Sequence, residues 1–144
     1  SVSDVIDLPA GDSQAEAVLA AIMQRSSGDL VACPLRPPMS QPVRMSVDRG
    51  HRLVLLAVAG PGLAELKAVA QALRWASENR QLIAMALPQM AIDTHQSPQL
   101  RLLVDHADAS AEALSPLLAS GSVQIIRYRR LRWGQKLGLL LEAA

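Results

Sequence analysis

The feature of this sequence that most limits its fold is a continuous apolar run, Leu53-Val-Leu-Leu-Ala-Val-Ala59, with turn-forming residues on both sides. Asp48 to His51 is a turn signal before the run, and Gly60-Pro61-Gly62 ends it. A short run of this kind, without polar alternation, is typical of a central strand buried on both faces. Val43 to Val47 precedes the turn, so these residues are predicted to form the other strand of a hairpin.

The rest of the chain predicts an α/β fold. Apolar residues recur at spacings of three and four from Leu63 to about Arg80, which predicts an amphipathic helix. Two further helices are predicted, at Gln14 to Gln24 and at Ser110 to Ala119. The remaining predicted strands are Asp29 to Leu35, Gln81 to Leu87, Leu100 to Val104 and Val123 to Tyr128. We therefore expect one domain, residues 1–144, with a mixed central sheet flanked by helices.

The C-terminal residues 129–142 are predicted to form a β-hairpin that turns near Gly134 and Gln135. Its second strand has four leucines in the five positions from Leu137 to Leu141. Such a strand would promote aggregation if its edge were exposed. We therefore expect this apolar strand to bind a protein partner or a second copy of the chain.

Composition and charge limit the classes of function. Half of the 144 residues are hydrophobic, which excludes a disordered polyelectrolyte, and the net charge of +1 does not by itself predict nucleic-acid binding. No apolar run approaches the ~20 residues that cross a bilayer, and the first residues do not resemble a signal peptide. The single cysteine, Cys33, rules out an internal disulfide. We expect a cytoplasmic protein that does not insert into a membrane.

The order of these elements, with Gln71-Ala-Leu-Arg-Trp75 on the long helix, resembles the PD-(D/E)XK nuclease superfamily in its RecB-like and archaeal mismatch-endonuclease branches. The resemblance covers about residues 12–130 and implies a restriction-endonuclease-like core. In that family an early helix carries a glutamate, a first core strand an aspartate, the next strand Glu-x-Lys, and the following helix often Gln-x-x-x-Tyr. The acids bind divalent metals, and the lysine orients the attacking water or stabilises charge.

Only part of the family pattern is present in this chain. The family positions fall on Glu16, Val43, Ala57, Ala59, Gln71 and Trp75. Trp75 stands in place of the tyrosine, Val43 in place of the strand aspartate, and two alanines in place of Glu-x-Lys. The resemblance therefore implies a scaffold that lacks both the charge to hold a magnesium ion and a base to activate water. We expect no hydrolytic activity, no metal and no cofactor.

A migrated active site is an alternative, because a literal Glu-x-Lys occurs at Glu65-Leu66-Lys67. Such a site would use Glu16, Asp48, Glu65, Lys67 and Gln71. Residues two apart share one face of a strand, but on a helix they are separated by ~200°. Glu65 follows a helix-start signal, where its charge is favourable for the helix dipole. A solvated first helical turn is therefore the favoured interpretation.

A basic segment near the C-terminus is the best candidate binding surface. It consists of Arg127, Arg129, Arg130, Arg132, Trp133 and Lys136, and no acidic residue interrupts it. On a strand, positions 127, 129, 131 and 133 would share one face, and positions 128, 130 and 132 the other. Arginines with interleaved aromatic residues bind phosphates and stack on bases. Charged residues also protect an edge strand from pairing, which is the structural alternative.

The sequence thus leaves three functional hypotheses. The first is a non-catalytic pseudonuclease that acts as a protein-interaction or oligomerisation module. The second is a pseudonuclease that binds nucleic acid through the C-terminal arginines. The third is a metal-dependent nuclease with the migrated site.

Overall fold

The computed structural model describes residues 5–7, 14–26, 28–38, 43–59, 63–105, 122–134 and 136–142, and these form a mixed α/β fold as predicted. The strands are β1 Val5–Asp7, β2 Leu30–Ala32, β3 Val43–Asp48, β4 Leu53–Ala59, β5 Gln99–Asp105, β6 Val123–Trp133 and β7 Lys136–Glu142. The helices are α1 Gln14–Arg25, α2 Leu63–Glu78 and α3 Arg80–Ala86, and a 3-10 turn, Pro88–Met90, follows α3. Among these helices, none has the length and apolar character that a bilayer-spanning helix needs.

All the described strands belong to one sheet, in the order β1-β7-β6-β5-β4-β3-β2. The strands β2, β3 and β4 form an antiparallel meander, and β4, β5 and β6 are parallel to one another. The strands β7 and β1 complete the other edge in antiparallel pairing. The chain leaves β4 at one end of the sheet and returns through α2 and α3 to enter β5 at the opposite end, as a parallel pair requires.

The strand β4 separates two hydrophobic clusters. Leu53, Leu55 and Ala57 lie in the cluster that contains the buried face of α2. Val54 and Leu56 lie in the cluster that contains α1. Each of these five side chains is at most 1% exposed. The prediction that this strand is buried on both faces is therefore confirmed.

The predicted turn at Asp48 to His51 joins β3 to β4. The Asp48 amide donates to the Arg52 carbonyl at 3.0 Å, and the Arg52 amide donates to Asp48 Oδ1 at 2.9 Å. His51 adopts a left-handed backbone with φ 65°, as the last residue of a three-residue hairpin loop commonly does. Inside the hairpin, the buried Ser46 hydroxyl donates to the Val54 carbonyl at 3.0 Å. Its polar group is therefore satisfied within the sheet.

The segment predicted as a strand at Gln81 to Leu87 is a helix, α3, so that prediction is wrong. Ile83 and Leu87, one helical turn apart, are buried, whereas Leu82 and Met85 are exposed. The segment consists mostly of Ala, Leu, Met and Gln, which all favour helices. A continuous apolar run is typical of a strand buried on both faces, but this run forms a helix with one buried and one exposed apolar face.

Three other differences concern strand length and number. The strand β2 is shorter than predicted, because Pro34 has no amide hydrogen to continue the pairing. The strand β6 does not stop at Tyr128 but continues to Trp133, and with β7 it forms the C-terminal hairpin. The strand β1 was not predicted at all. The predicted helix at Ser110 to Ala119 lies outside the described residues.

Matched valine truncations test the position of β4. Val54 is fully buried between β4 and α1, whereas Val31 on β2 is 63% exposed. We expect Val54→Ala to lower the free energy of unfolding by about 2–3 kcal/mol, because it leaves a cavity in the core. Val31→Ala should change it by less than about 0.5 kcal/mol. Urea unfolding followed by circular dichroism measures both, and equal effects would contradict this placement of β4.

Candidate functional site

The positions that would carry the strand acids of a nuclease are apolar and buried. Val43 on β3 pairs directly with Ala57 on β4. Val43 is 4% exposed and Ala57 is 0% exposed, and both lie in the cluster beneath α2. Two carboxylates at these positions would face each other across the strand pair, as a shared metal requires. In this chain both positions carry apolar side chains that pack in the core.

The other family positions are not gathered into one site. Trp75 on α2 is half-buried and packs against the core, but Gln71, one turn earlier, is exposed. Ala59 ends β4 and pairs with Val104, and Glu16 lies in the first turns of α1. The side chains of Ala59 and Glu16 are outside what the structure describes. Among these residues, only Trp75 has a described side chain that packs against the core.

The alternative migrated site is not assembled either. Asp48 ends β3 at the hairpin turn, where its carboxylate accepts the Arg52 amide. The helix α2, which carries Glu65 and Lys67, begins beyond the opposite end of β4. A seven-residue strand is about 20 Å long, so the two ends cannot contribute ligands to one metal. Lys67 and Gln71 are exposed, and the Glu65 side chain is outside the described structure.

A polar corner holds the tip of the β3–β4 hairpin against the loop before β5. The Asp93 amide donates to the His51 carbonyl at 2.8 Å, and Gln96 Nε2 donates to the Gly50 carbonyl at 2.9 Å. The Asp93 carboxylate accepts the His95 amide and Gln96 Nε2, which lowers the pKa of Asp93, with smaller contributions from the charges of His95 and His51. Among the described residues, no group of three or more His, Cys, Asp or Glu side chains could hold a metal ion. The corner is therefore best described as a structural hydrogen-bond network.

A shallow cleft of about 410 Å³ lies between α2 and the first residues of β5 and β6. Leu73 and Val123 contribute apolar walls, and Ser77 and Ser97 contribute polar ones. Arg74 at its margin donates to Glu78 at 2.9 Å, with both side chains mostly exposed. An exposed pair of this kind gives little binding energy, so the cleft lacks a strong polar anchor.

The basic segment lies on β6, so its side chains alternate between the two faces of the sheet. Tyr128 is buried in the cluster beneath α1, which places Arg130 and Arg132 on the α1 face. Ile125 packs into the opposite cluster, which places Arg127 and Arg129 on the α2 face. The division into two faces was predicted from the sequence. The arginines therefore do not form one continuous strip.

The arginines at the end of the hairpin lie beyond the last described residue pair between β5 and β6. That pair is Asp105 with Tyr128, whereas Arg129 to Trp133 pair with β7. Arg129, Arg130 and Arg132 are exposed, and Arg130 Nε lies 3.5 Å from Asp105 Oδ2. Trp133 and Lys136 belong to the same hairpin, but their side chains are outside the described structure.

The apolar strand β7 is an inner strand of the sheet. Gly138, Leu139 and Leu140 pair with β6 on one side and with β1 on the other. Leu139 is fully buried beneath α1. Of the five positions from Leu137 to Leu141 that were expected to bind a partner, positions 138–140 are thus paired with a strand of the same chain.

The exposed side of α3 was missed by sequence reasoning. Leu82 is 64% exposed and Met85 is 76% exposed, and they lie three residues apart on one helical face. No residue from Gln81 to Ile92 carries a charge, in a chain that has 14 basic and 13 acidic residues. We call the exposed residues of this stretch the α3 surface; they are Gln81, Leu82, Met85, Ala86, Pro88, Gln89 and Ala91. The uncharged stretch is the signal that sequence reasoning could have used.

Matched glutamate substitutions test whether the packed core at Ala57 can accept a carboxylate. Ala57 is 0% exposed, whereas Ala32 on the edge strand β2 is exposed. We expect Ala57→Glu to lower the free energy of unfolding by roughly 3 kcal/mol or more, because it buries an unpaired charge in a filled core. Ala32→Glu should have little effect. An Ala57→Glu variant as stable as the parent chain in urea unfolding would contradict this burial of Ala57.

The comparisons with known proteins identify no relative of this chain. No protein-family model matches it, and no curated protein and no solved structure matches it.

Proposed function

We propose that this chain is a non-catalytic, nuclease-like α/β module that acts as a protein-interaction or oligomerisation domain. The observation that carries the proposal is the α3 surface, an exposed apolar patch on a helix anchored to the core by Ile83 and Leu87. The nuclease-like scaffold is supported by the order of α1, the antiparallel strands β2 to β4, α2 and the parallel strand β5.

The buried pair Val43 and Ala57 supports the non-catalytic part of the proposal. A metal-dependent nuclease needs carboxylates to hold the ion and a base to activate water. At these positions the chain has two apolar side chains in van der Waals packing, and the candidate residues of a migrated site are spread over both ends of the sheet.

Cys33 also fits a binding module in a reducing compartment such as the cytoplasm. Burial raises the pKa of its thiol to about 11, so the thiol stays protonated near neutral pH. The thiolate, not the thiol, is the nucleophile in cysteine chemistry. The protonated thiol is half-buried and packs against the core, so Cys33 behaves as a small apolar side chain.

The α3 surface has the composition of a protein interface. Interface centres are depleted in charged residues and enriched in methionine, whose flexible side chain adapts to a partner. Leu82 and Met85 are the two most exposed large hydrophobic residues among those described. Exposed apolar side chains placed side by side gain stability when a partner covers them.

A photo-crosslinking side chain at position 85 tests the proposal in cells of the source organism. We expect a crosslinked protein adduct from position 85, because the α3 surface is covered by a partner there. The matched control is position 31, where Val31 is a similarly exposed apolar residue on β2. Absence of an adduct at position 85, or the same adducts at both positions, would count against the α3 surface.

A second candidate function is nucleic-acid binding by the end of the β6–β7 hairpin. Arg129, Arg130 and Arg132 are exposed there, on both faces of the ribbon. A β-ribbon fits a nucleic-acid groove, and arginines on its two faces would contact phosphates on both sides of that groove. The exposed arginines at the hairpin end are the specific observation that favours this candidate.

Fluorescence anisotropy with labelled single-stranded and duplex DNA tests the second candidate. If the three arginines contact phosphates, the logarithm of the affinity for duplex should fall with the logarithm of salt with a slope of roughly −3. Arg132→Ala should reduce that slope by about 1, whereas Arg74→Ala, an exposed arginine on α2, should not. The DNA should stay intact with manganese. No binding even at low salt would remove this candidate.

A further inference from the structure

We propose that the β6–β7 hairpin binds B-form duplex DNA and enters its major groove with the turn end first. The inference rests on the second candidate function, nucleic-acid binding by the end of the hairpin, and it names the form of the nucleic acid and the groove. Three observations support it: the hairpin end consists of two described strands, it carries arginines on both faces, and the tyrosine beside these arginines is buried.

The turn end of the hairpin is a two-stranded ribbon. Tyr128 is the last residue of β6 with a described partner in β5, and Gly138 is the residue of β7 nearest the turn that pairs with β1. Arg132 and Trp133 pair with β7 and with no other described strand. Trp133 pairs with Lys136, so only two residues connect the strands. The described part of the sheet therefore leaves this end narrow enough to enter a groove.

The two faces of this ribbon each carry an exposed arginine. Arg129 lies on the α2 face, and Arg132 lies on the α1 face. Arg130 is a second arginine on the α1 face, with its Nε 3.5 Å from Asp105 Oδ2. A ribbon that enters a groove end first has one wall of the groove beside each face, and phosphates line both walls. Each wall then meets an arginine, whose guanidinium matches the geometry of a phosphate.

The width of the groove selects the form of the duplex. A sheet with side chains on both faces is about 10 Å thick, which is the spacing at which sheets pack face to face. The major groove of B-form DNA is about 12 Å wide, and its minor groove is about 6 Å wide. In an RNA duplex the major groove is deep and too narrow for side chains to read. Of these three grooves, only the major groove of B-form DNA accepts the ribbon.

The burial of Tyr128 favours a duplex over a single strand. Proteins that hold single strands stack successive bases on aromatic side chains. Tyr128 is 1% exposed in the cluster beneath α1, so its ring is not available for stacking. Trp75 is half-buried and packs against the core beneath α2. Because the chain has no phenylalanine, one tyrosine and two tryptophans, Trp133 is the one aromatic residue left at the hairpin, too few for a stacking platform.

Fluorescence anisotropy with three labelled ligands of one sequence tests the form of the nucleic acid on the whole chain. At low salt we expect duplex DNA to bind at least tenfold more tightly than the RNA duplex or the single strand. Two blocked duplexes test the groove. Glucosylated 5-hydroxymethylcytosine projects a sugar into the major groove and should weaken binding at least tenfold. Netropsin fills the minor groove of an A·T run and should change the affinity less than twofold.

Variants on the two faces of the ribbon test the contact with both walls. Arg129→Ala and Arg132→Ala should each reduce the salt slope for duplex DNA by about 1, and the double variant should reduce it by about 2. Arg74→Ala, an exposed arginine on α2, is the matched control and should leave the slope unchanged. Thermal unfolding verifies that each variant is folded.

The contrary outcomes separate the inference from the candidate function on which it rests. An RNA duplex or a single strand that binds within tenfold of duplex DNA would overturn the inference while nucleic-acid binding stood. The same holds for binding that netropsin blocks, binding that the glucosylated duplex retains, or a salt slope that depends on only one of the two arginines. No binding of any ligand even at low salt would overturn both.

Discussion

The burial of β4 on both faces is the constraint on which the rest of this structure depends. Leu53, Leu55 and Ala57 pack beneath α2, and Val54 and Leu56 pack beneath α1, so one strand is shared by both hydrophobic clusters. The strand also pairs with β3 on one side and β5 on the other. Neither layer of helices can therefore separate from the sheet without exposing the same strand, and the two clusters should unfold together.

The same packing accounts for the small residues on the α2 side of β4. Ala57 on β4 lies in one cluster with Ala72 and Ala76 of α2, and all three are fully buried. Small residues allow a helix to approach a sheet closely, which suits a chain without phenylalanine. The α2 face of β4 is therefore filled by close contact between the helix and the sheet.

Prediction from the sequence was most accurate where the hydrophobic pattern is compatible with only one kind of element. The run Leu53 to Ala59 had no polar face, and α2 had a clear spacing of three and four, so both were placed within about two residues. The run Gln81 to Leu87 was apolar all round as well, but half of that apolar surface is exposed on a helix. Sequence alone does not distinguish an apolar face that is buried from one that is exposed. The α3 surface was missed for this reason.

The candidate residues on β6 were easier to place, because the alternation of side chains along a strand assigns each residue to one of two faces. The alternation did not predict which strand pairs with the outer edge of β7. That strand is β1, a three-residue strand with too little sequence to carry a periodic signal. The strand β1 is therefore defined by its pairing with β7 and not by a local sequence pattern.

The pairing of β1 with β7 joins residues 5–7 to residues 138–140, more than 130 positions apart in the chain. During synthesis β1 emerges first, and its partner is made only after every other described strand. Contacts of such long sequence separation form late, because closing so large a loop has a high entropic cost. The pairing that covers the leucine-rich strand β7 is therefore the one with the highest entropic cost of loop closure among the described strand pairs.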